Sequence, residues 1–347
     1  MSSELLEILN LGGGVQSSRL LEESIAGDLP RLDAAIFADT LWEPQHVYDH
    51  VDYLTDKAKR AGIPVYRVNA GDLRADALRS QVRGLASEGH RWASMPLFTL
   101  KVWYPIQSDI DLLEGAVACF EDKPGSDIDP SEFLWLPEDE TDEWMQREAT
   151  KLRKILAKLR NGVPVEQRGM IKRQCTKEYK IEPIEKFIKT ELLGLQPGAR
   201  WPKECVVRQW FGISLDESQR CRATHAAWKV HWYPLVDRLV TRLACYAWFA
   251  ERGLPLPKRS ACKGCPFHDN PEWREMKIER PAEFDDACCF DDGIRKCGGM
   301  RGDCFLHRTC QPLRDVDVSN DVDRGQLLLV GIDDPQLLSC ESGHCFV

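Results

Sequence analysis

The chain of 347 residues is 43% hydrophobic and 9% aromatic, enough to bury a large core in one large domain or two. A net charge of −9 and a pI near 5.5 argue against broad, nonspecific binding to nucleic acid, while leaving room for a local basic groove. No run of about 18 apolar residues is present, and the opening Met1-Ser2-Ser3-Glu4 lacks a basic leader, so a cytoplasmic chain without a membrane contact is expected.

Residues 5–11 read as a first strand that runs into Gly12-Gly13-Gly14-Val15-Gln16-Ser17-Ser18, and a helix is expected over 17–26. Glycines let a backbone approach a ligand closely, and serine hydroxyls with the free N–H groups of a helix start favour an anion. A phosphate- or sulfate-holding turn is therefore expected, against the plainer alternative of a glycine-rich βα connection. Neither G-x-x-x-x-G-K-S/T nor G-x-G-x-x-G fits the spacing. A second apolar strand at 32–38 ends in Asp39-Thr40-Leu41-Trp42-Glu43-Pro44, and the next helix carries Val47, Val51 and Leu54 on one face. A third strand is expected at 64–68. Strands alternating with helices predict an α/β fold, a parallel sheet flanked by helices, with ligands at the carboxyl ends of the strands.

Residues 121–148 are acidic and broken by prolines, which predicts an exposed insertion, followed by a helix capped near Thr141-Asp142-Glu143 and running to about Leu159. Residues 151–180 are strongly basic; a solvated helix face accounts for most of these charges, but those near Cys175 would lower a thiol pKa and attract an anion. A strand at 206–213 leads to Ser214-Leu215-Asp216-Glu217-Ser218-Gln219-Arg220, where Arg220 and Arg222 are expected on the same edge as the glycine turn. An amphipathic helix then ends near Arg252.

Fourteen cysteines without a secretory leader point to metal or redox chemistry. Cys262-Lys263-Gly264-Cys265 is a C-x-x-C knuckle compatible with zinc, an iron–sulfur cluster or a dithiol, and His268 lies near as a fourth zinc ligand. Cys288, Cys289, Cys297, Cys304 and Cys310 are either a second metal group or plain buried residues, and Cys340 and Cys345 close the chain in a glycine-containing tail suited to redox work or to no role at all.

Taken together, these motifs resemble the PP-loop superfamily, in its phosphoadenylyl-sulfate and adenylyl-sulfate reductase branch. The family's S-G-G-x-D-S is similar to Gly12-Gly13-Gly14-Val15-Gln16-Ser17, with Gly12 for the first serine and Gln16 for the aspartate. Its D-T-G resembles Asp39-Thr40-Leu41, and its G-I/L-R-x-x-E-S-x-x-R resembles Gly212 through Arg220 with Ser214 for the arginine. Its P-L-x-x-W, helix, G-L-P series resembles residues 233–255. Cluster-bearing members carry C-C-x-x-R-K, similar to Cys175-Thr176-Lys177-Glu178-Tyr179-Lys180, and a later C-x-x-C, matched by Cys262 and Cys265; the tail motif is faintly echoed at 341–344. The resemblance covers residues 6–270 and is nearest to phage- and mobile-element-encoded reductase-like proteins.

The resemblance implies a Rossmann-like PP-loop domain over residues 1–258 and a Cys-rich region over 259–347. It implies an adenine nucleotide, ATP or adenylyl sulfate, at Gly12, Gly13, Gly14, Gln16, Ser17, Ser18, Asp39 and Thr40, with magnesium as a companion ion. A 4Fe–4S cluster on Cys175, Cys262 and Cys265 is implied, zinc being the alternative. Glu217, Arg220, Cys340 and Cys345 are implied as catalytic, and Lys172 and Arg173 as weaker anion ligands. The expected chemistry is reductive, on an adenylylated sulfate with a thiol electron donor. The alternatives are ATP-dependent transfer from a sulfur donor to a nucleic-acid base, a non-catalytic nucleotide- or nucleic-acid-binding accessory protein with structural zinc, and an iron-free ATP pyrophosphatase. An oligomer is compatible with each.

Overall fold

The computed structural model describes residues 5–79, 95–104, 107–120, 138–162, 164–196, 198–296 and 302–320; at 109, 118–120, 138–145 and 165 the backbone alone is described. The expected sites at Cys340 and Cys345 lie outside the described residues, as does most of the acidic insertion.

Apolar runs in the first third become the centre of a parallel sheet. Strand β1 (Leu6–Leu11) is followed by helix α1 (Val15–Ala26), β2 (Ala34–Ala38), α2 (Gln45–Arg60), β3 (Val65–Val68) and α3 (Leu73–Arg79). After a long excursion the chain returns as β6 (Val207–Phe211) and β7 (Lys229–Trp232). The five strands run parallel in the order β3-β2-β1-β6-β7, with Leu9 opposite both Ala35 and Trp210. Alternation along β1 sends Leu9 and Leu11 to one face and Ile8 to the other. On the first face Leu9, Leu11 and Trp210 of β6 pack with Val15, Leu20, Val47, Val51, Leu54 and Phe249, drawn from α1, α2 and α8 (Arg242–Glu251). The other face packs Ile8, Ile36 and Val207 on Ile184 and Ile188, from α6 (Glu182–Phe187) and the π-helical turn after it. A parallel sheet covered on both faces is the expected α/β arrangement.

The excursion builds a second layer that the sequence reading did not foresee. Strand β4 (Phe98–Trp103) lies antiparallel between β5 (Val165–Met170) and β8 (Asp303–Phe305). Helices α4 (Gln107–Phe120) and α5 (Glu138–Arg160) pack on each other and lie in the chain between β4 and β5; α5 is the helix expected from about Thr141 to Leu159, begun three residues earlier. A short α7 (Pro234–Asp237) follows β7, and α9 (Asn270–Glu279) and α10 (Pro281–Gly293) follow the C-x-x-C loop. Here Trp42, Leu73, Met95, Leu97 and Tyr179 share one apolar cluster with Trp273, Phe284, Phe290, Leu306 and Leu313. Among the described residues, no helix is long and apolar enough to cross a membrane.

Candidate functional site

A cleft of about 920 Å³, counting its open mouth, lies at the carboxyl ends of β1, β2 and β6. Its floor is the turn from β1 into α1. Gly13 holds φ at +73°, where a Cβ would sit 3.2 Å from Val47 and 3.3 Å from Val51, so a side chain there would be strained and crowded at once. Gly14 caps α1 without a side chain, which leaves the first N–H groups of a twelve-residue helix facing the cleft wall. Ser17 Oγ accepts from Gly12 N–H (3.1 Å) and donates to the Gly14 carbonyl (3.2 Å), tying the turn to itself. The Ser260 hydroxyl donates to the Gly12 carbonyl from the far side.

Four cations line this cleft: Lys180, Arg220, Arg242 and Arg259. Glu217, 5% exposed, accepts from Gln16 Nε2 (2.9 Å) and pairs with Arg220 Nη1 (2.9 Å), so it orients both. Gln16 thus spends its amide on a carboxylate at the other end of the sheet edge. Arg259 is paired with Glu272 and Arg242 sits against Tyr246. The remaining wall is apolar, with Phe37, Ala38, Ile184, Phe211 and Ile213. Asn10 also lines it, and its Oδ1 is buried with no hydrogen-bond partner among the described residues.

The three cysteines expected as ligands do not line the cleft, but all lie within electrostatic reach of Lys180, which does and which sits on the π-helical turn Lys177–Ile181; such turns insert a residue into a helix and re-aim a side chain. Burial alone would lower the Lys180 pKa, but Glu43, Cys262, Cys175 and Cys265 all raise it and the net direction is upward. Burial pushes the Cys262 thiol well up, with Glu43 adding to the rise while Lys180 and Thr40 oppose it. The Cys175 thiol is likewise raised by burial, with Arg173 and Lys180 opposing. Glu43 is 1% exposed; its Oε1 accepts from Thr40 Oγ1 (3.0 Å) and Cys262 Sγ (3.4 Å) and lies 3.8 Å from Lys180 Nζ, while Oε2 has no partner among the described residues.

The C-x-x-C loop is fixed against the β2–α2 connection. Lys263 N–H donates to the Trp42 carbonyl (3.0 Å), and a Cβ on Gly264 would lie 2.1 Å from the Trp42 ring. His268 Nε2 donates to the Cys262 carbonyl (2.9 Å), and its Nδ1 faces Glu272 Oε2 at 3.3 Å. Burial alone would raise Glu272, but His268 and Arg259 pull it down to about 2. Both nitrogens of His268 are therefore engaged away from the thiols. Among the described residues, no group of three or more His, Cys, Asp or Glu is arranged to hold a metal ion.

Several expected residues stand elsewhere. Ser18 is fully buried and bonds His50 Nε2 (2.9 Å), inside the α1–α2 packing. Asp39 accepts from Leu41 N–H (2.7 Å) and Tyr48 Oη (2.9 Å), and Thr40 contacts Cys262 Sγ (3.3 Å); neither lines the cleft. Lys172 and Arg173 do not line it either, Arg173 lying over the Phe267 ring at 5.7 Å. Arg222 folds back on the carbonyls of Gln219 and Cys221. Cys288 and Cys304 are buried members of the second core, and Cys310 is buried with its Sγ on the Thr99 carbonyl (3.8 Å). Glu43 and Lys180 stand inside stretches that the sequence already singles out, though neither was expected to be a site residue, while Arg242 and Arg259 carry no such signal.

These elements define an α/β protein with a five-stranded parallel sheet and a strand-end cleft. Comparison of the chain with protein-family models, curated proteins and solved structures finds no match.

Proposed function

We propose that this chain is an adenine-nucleotide-binding enzyme of the PP-loop, phosphoadenylyl-sulfate-reductase-like kind, carrying out reductive sulfur chemistry on an adenylylated substrate. The observation that carries the reading is Lys180, which lines the anion cleft and also stands among Cys175, Cys262 and Cys265. One ammonium thereby joins a phosphate- or sulfate-sized charge on one side to three sulfurs on the other.

In this reading the 12–17 turn and the start of α1 hold the phosphate or sulfate. Arg220, Arg242, Arg259 and Lys180 offset its charge, and the apolar wall of Phe37, Ile184 and Phe211 takes the adenine. Asn10 Oδ1 is an unused buried acceptor for an exocyclic amine. Leu41 adds support: it holds φ +58° at the position where the resembled D-T-G motif has glycine.

The donor set fits an iron–sulfur cluster better than zinc. His268 is spent on a carbonyl and a carboxylate, which leaves a zinc knuckle one ligand short. Cluster thiolates bind different irons, so they need not converge on one ion. Cys175, Cys262 and Cys265 would hold the cluster, with Lys180 and the unpaired Glu43 Oε2 facing it. A cluster held by three thiolates supplies one iron free of protein ligands. Cys340 or Cys345 would supply the attacking thiolate.

The test is iron content and visible absorbance of anaerobically purified protein. Broad absorbance near ~400 nm with roughly four irons per chain, lost in Cys175→Ala, is the expected result. A colourless zinc protein, or a Cys175→Ala variant with full iron, overturns it. A second reading, ATP-dependent sulfur transfer to a nucleic-acid base, is favoured by the basic outer face of α5.

A further inference from the structure

Helix α5 has two stripes. Ala149, Leu152, Leu156 and Leu159, spaced 3, 4 and 3, turn inward, with Ala149, Leu156 and Leu159 buried. Arg147, Lys151, Lys154 and Lys158, spaced 4, 3 and 4, form one exposed face. Their Cα atoms span about 16 Å of helix axis. Like charges at such spacings repel by a few tenths of a kcal/mol per pair, so the stripe weakens the isolated helix that carries it. Acidic neighbours compensate it only in part: Arg147 is engaged, Lys151 meets Glu148, and Lys154 and Lys158 make no ion pair among the described residues. Between residues 146 and 180 eleven basic residues face three acidic ones, in a chain whose net charge is −9. This positive charge is therefore segregated.

Aromatic surface adjoins the end of the stripe. Val165, five residues past the end of α5, pairs with Trp103 on β4. Lys101 Nζ lies 4.9 Å from the centre of the Trp103 ring, and the next residue, Tyr104, is 74% exposed. Val102 is 46% exposed beside them.

We propose that the outer face of α5 and the adjoining Trp103–Tyr104 end of β4 form a docking surface for single-stranded nucleic acid. A row of cations that tracks phosphates, ending on aromatic rings that stack bases, is the chemistry such strands require. Duplex DNA would use the cations and leave the rings idle. The surface is also wired to the cysteines. Strand β5 runs from its pairing with Trp103 to Met170, Ile171 N–H bonds the Leu97 carbonyl (2.9 Å), and Cys175 follows four residues later. The six-residue ribbon covers about 20 Å and links the aromatic end of the surface to the segment that carries Cys175. The proposal rests on the base-sulfuration reading for its purpose, but its measurement requires neither cluster nor turnover.

The experiment is fluorescence anisotropy of the full chain with a fluorescein-labelled mixed-sequence DNA strand of roughly 20 nucleotides, its RNA counterpart and the matching duplex, across a sodium chloride series. The single strands are expected to bind with a log–log salt slope of about −3, from four phosphate contacts at ~0.7 each. The paired substitution Lys154→Glu with Lys158→Glu should weaken binding at least about tenfold and flatten the slope by about 1.4. Trp103→Ala should weaken binding at least about fivefold with the slope unchanged, since stacking releases no counterions. Circular dichroism of each variant confirms the fold. The proposal is overturned by no strand binding at about 50 mM salt, by duplex binding tighter than either strand, or by variants that bind as the parent does. RNA bound more tightly than DNA by the parent, with both variant effects retained, would support it and name the strand. Calorimetric titration of the same samples with ATP or adenylyl sulfate separates the two hypotheses: loss of nucleotide binding overturns the enzyme reading alone.

Discussion

Leu41 holds φ at +58° with its side chain 47% exposed, in the turn that carries the chain from β2 towards the cysteines. A left-handed backbone costs a residue with a Cβ about 1–2 kcal/mol, and little packing of an exposed leucine offsets it. Leu41→Gly should therefore be neutral or stabilise by up to about 1 kcal/mol, once the extra chain entropy of glycine is subtracted; a urea midpoint that falls would show the turn is not strained. Glu217 is the opposite case. Removing it strands Arg220, whose side chain is 10% exposed, and releases Gln16. Glu217→Ala should cost on the order of 3 kcal/mol and weaken nucleotide binding, whereas Glu217→Gln keeps an acceptor for Gln16 and should lose less of both. His50 sets an acid limit. Burial lowers its pKa to about 4, and it meets Ser18 as a neutral ring. In the window between pH 4 and 6.5 the unfolded chain binds the proton and the folded chain does not, so stability falls as pH falls. Through His50 alone, the protein near pH 5 should be about 2 kcal/mol less stable than near pH 7.5, a difference that denaturant titrations of the parent and His50→Gln would resolve.

At the scale of elements, the C-x-x-C loop is positioned by contact with a ring. Trp42 is 3% exposed, packs tilted against Phe290 with ring centres 4.6 Å apart and donates to Asp286 (2.7 Å), so it cannot swing away from a new side chain. Gly264→Ala should cost about 1–3 kcal/mol by overpacking and displace Cys262 and Cys265 from Cys175. Reduced iron retention after anaerobic purification, with the Tm lowered, is the expected outcome; unchanged iron would mean the loop needs no such contact. Elements of this kind were unevenly legible. Strands β1, β2 and β6 are buried on both faces and read as apolar runs ending in glycine or aspartate, which is why their sequence alone placed them. Strand β5, Val-Glu-Gln-Arg-Gly-Met, carries exposed polar residues throughout its described side chains, and β8 is three residues long and pairs with a strand some two hundred positions earlier. Neither presents a local period for a reader to find. The same limit hid Asp291: fully buried, it accepts from Leu306 N–H (2.7 Å) and Leu313 N–H (2.9 Å) and pairs with Arg295, pinning the segment after 302 to α10.

For the whole molecule, the question is whether the two layers unfold together. The sheet and the second layer have different apolar clusters, but the second draws Trp42, Leu73 and Tyr179 from the sheet's own connections and Phe284, Phe290 and Leu313 from the C-terminal third. The cleft crosses the same boundary, since Arg259 and Ser260 complete a wall begun by Gly12 and Asn10. Such convergence explains why the glycine turn and the thiols were readable as motifs while Arg242 and Arg259 were not. Each cation comes from a separate segment with no motif around it, and only folding makes it a neighbour of the cleft. Shared packing also has a thermodynamic consequence. Exposing either layer would strip apolar surface from the other at roughly 25 cal/mol per Å², so neither should persist alone. Calorimetry should then give one unfolding transition whose calorimetric and van't Hoff enthalpies agree, and a nucleotide bound in the cleft should raise the whole transition by mass action. Two transitions, with ATP or adenylyl sulfate moving only one, would mean that the layers fold separately and that the Lys180 junction is a contact between finished units rather than part of a common core.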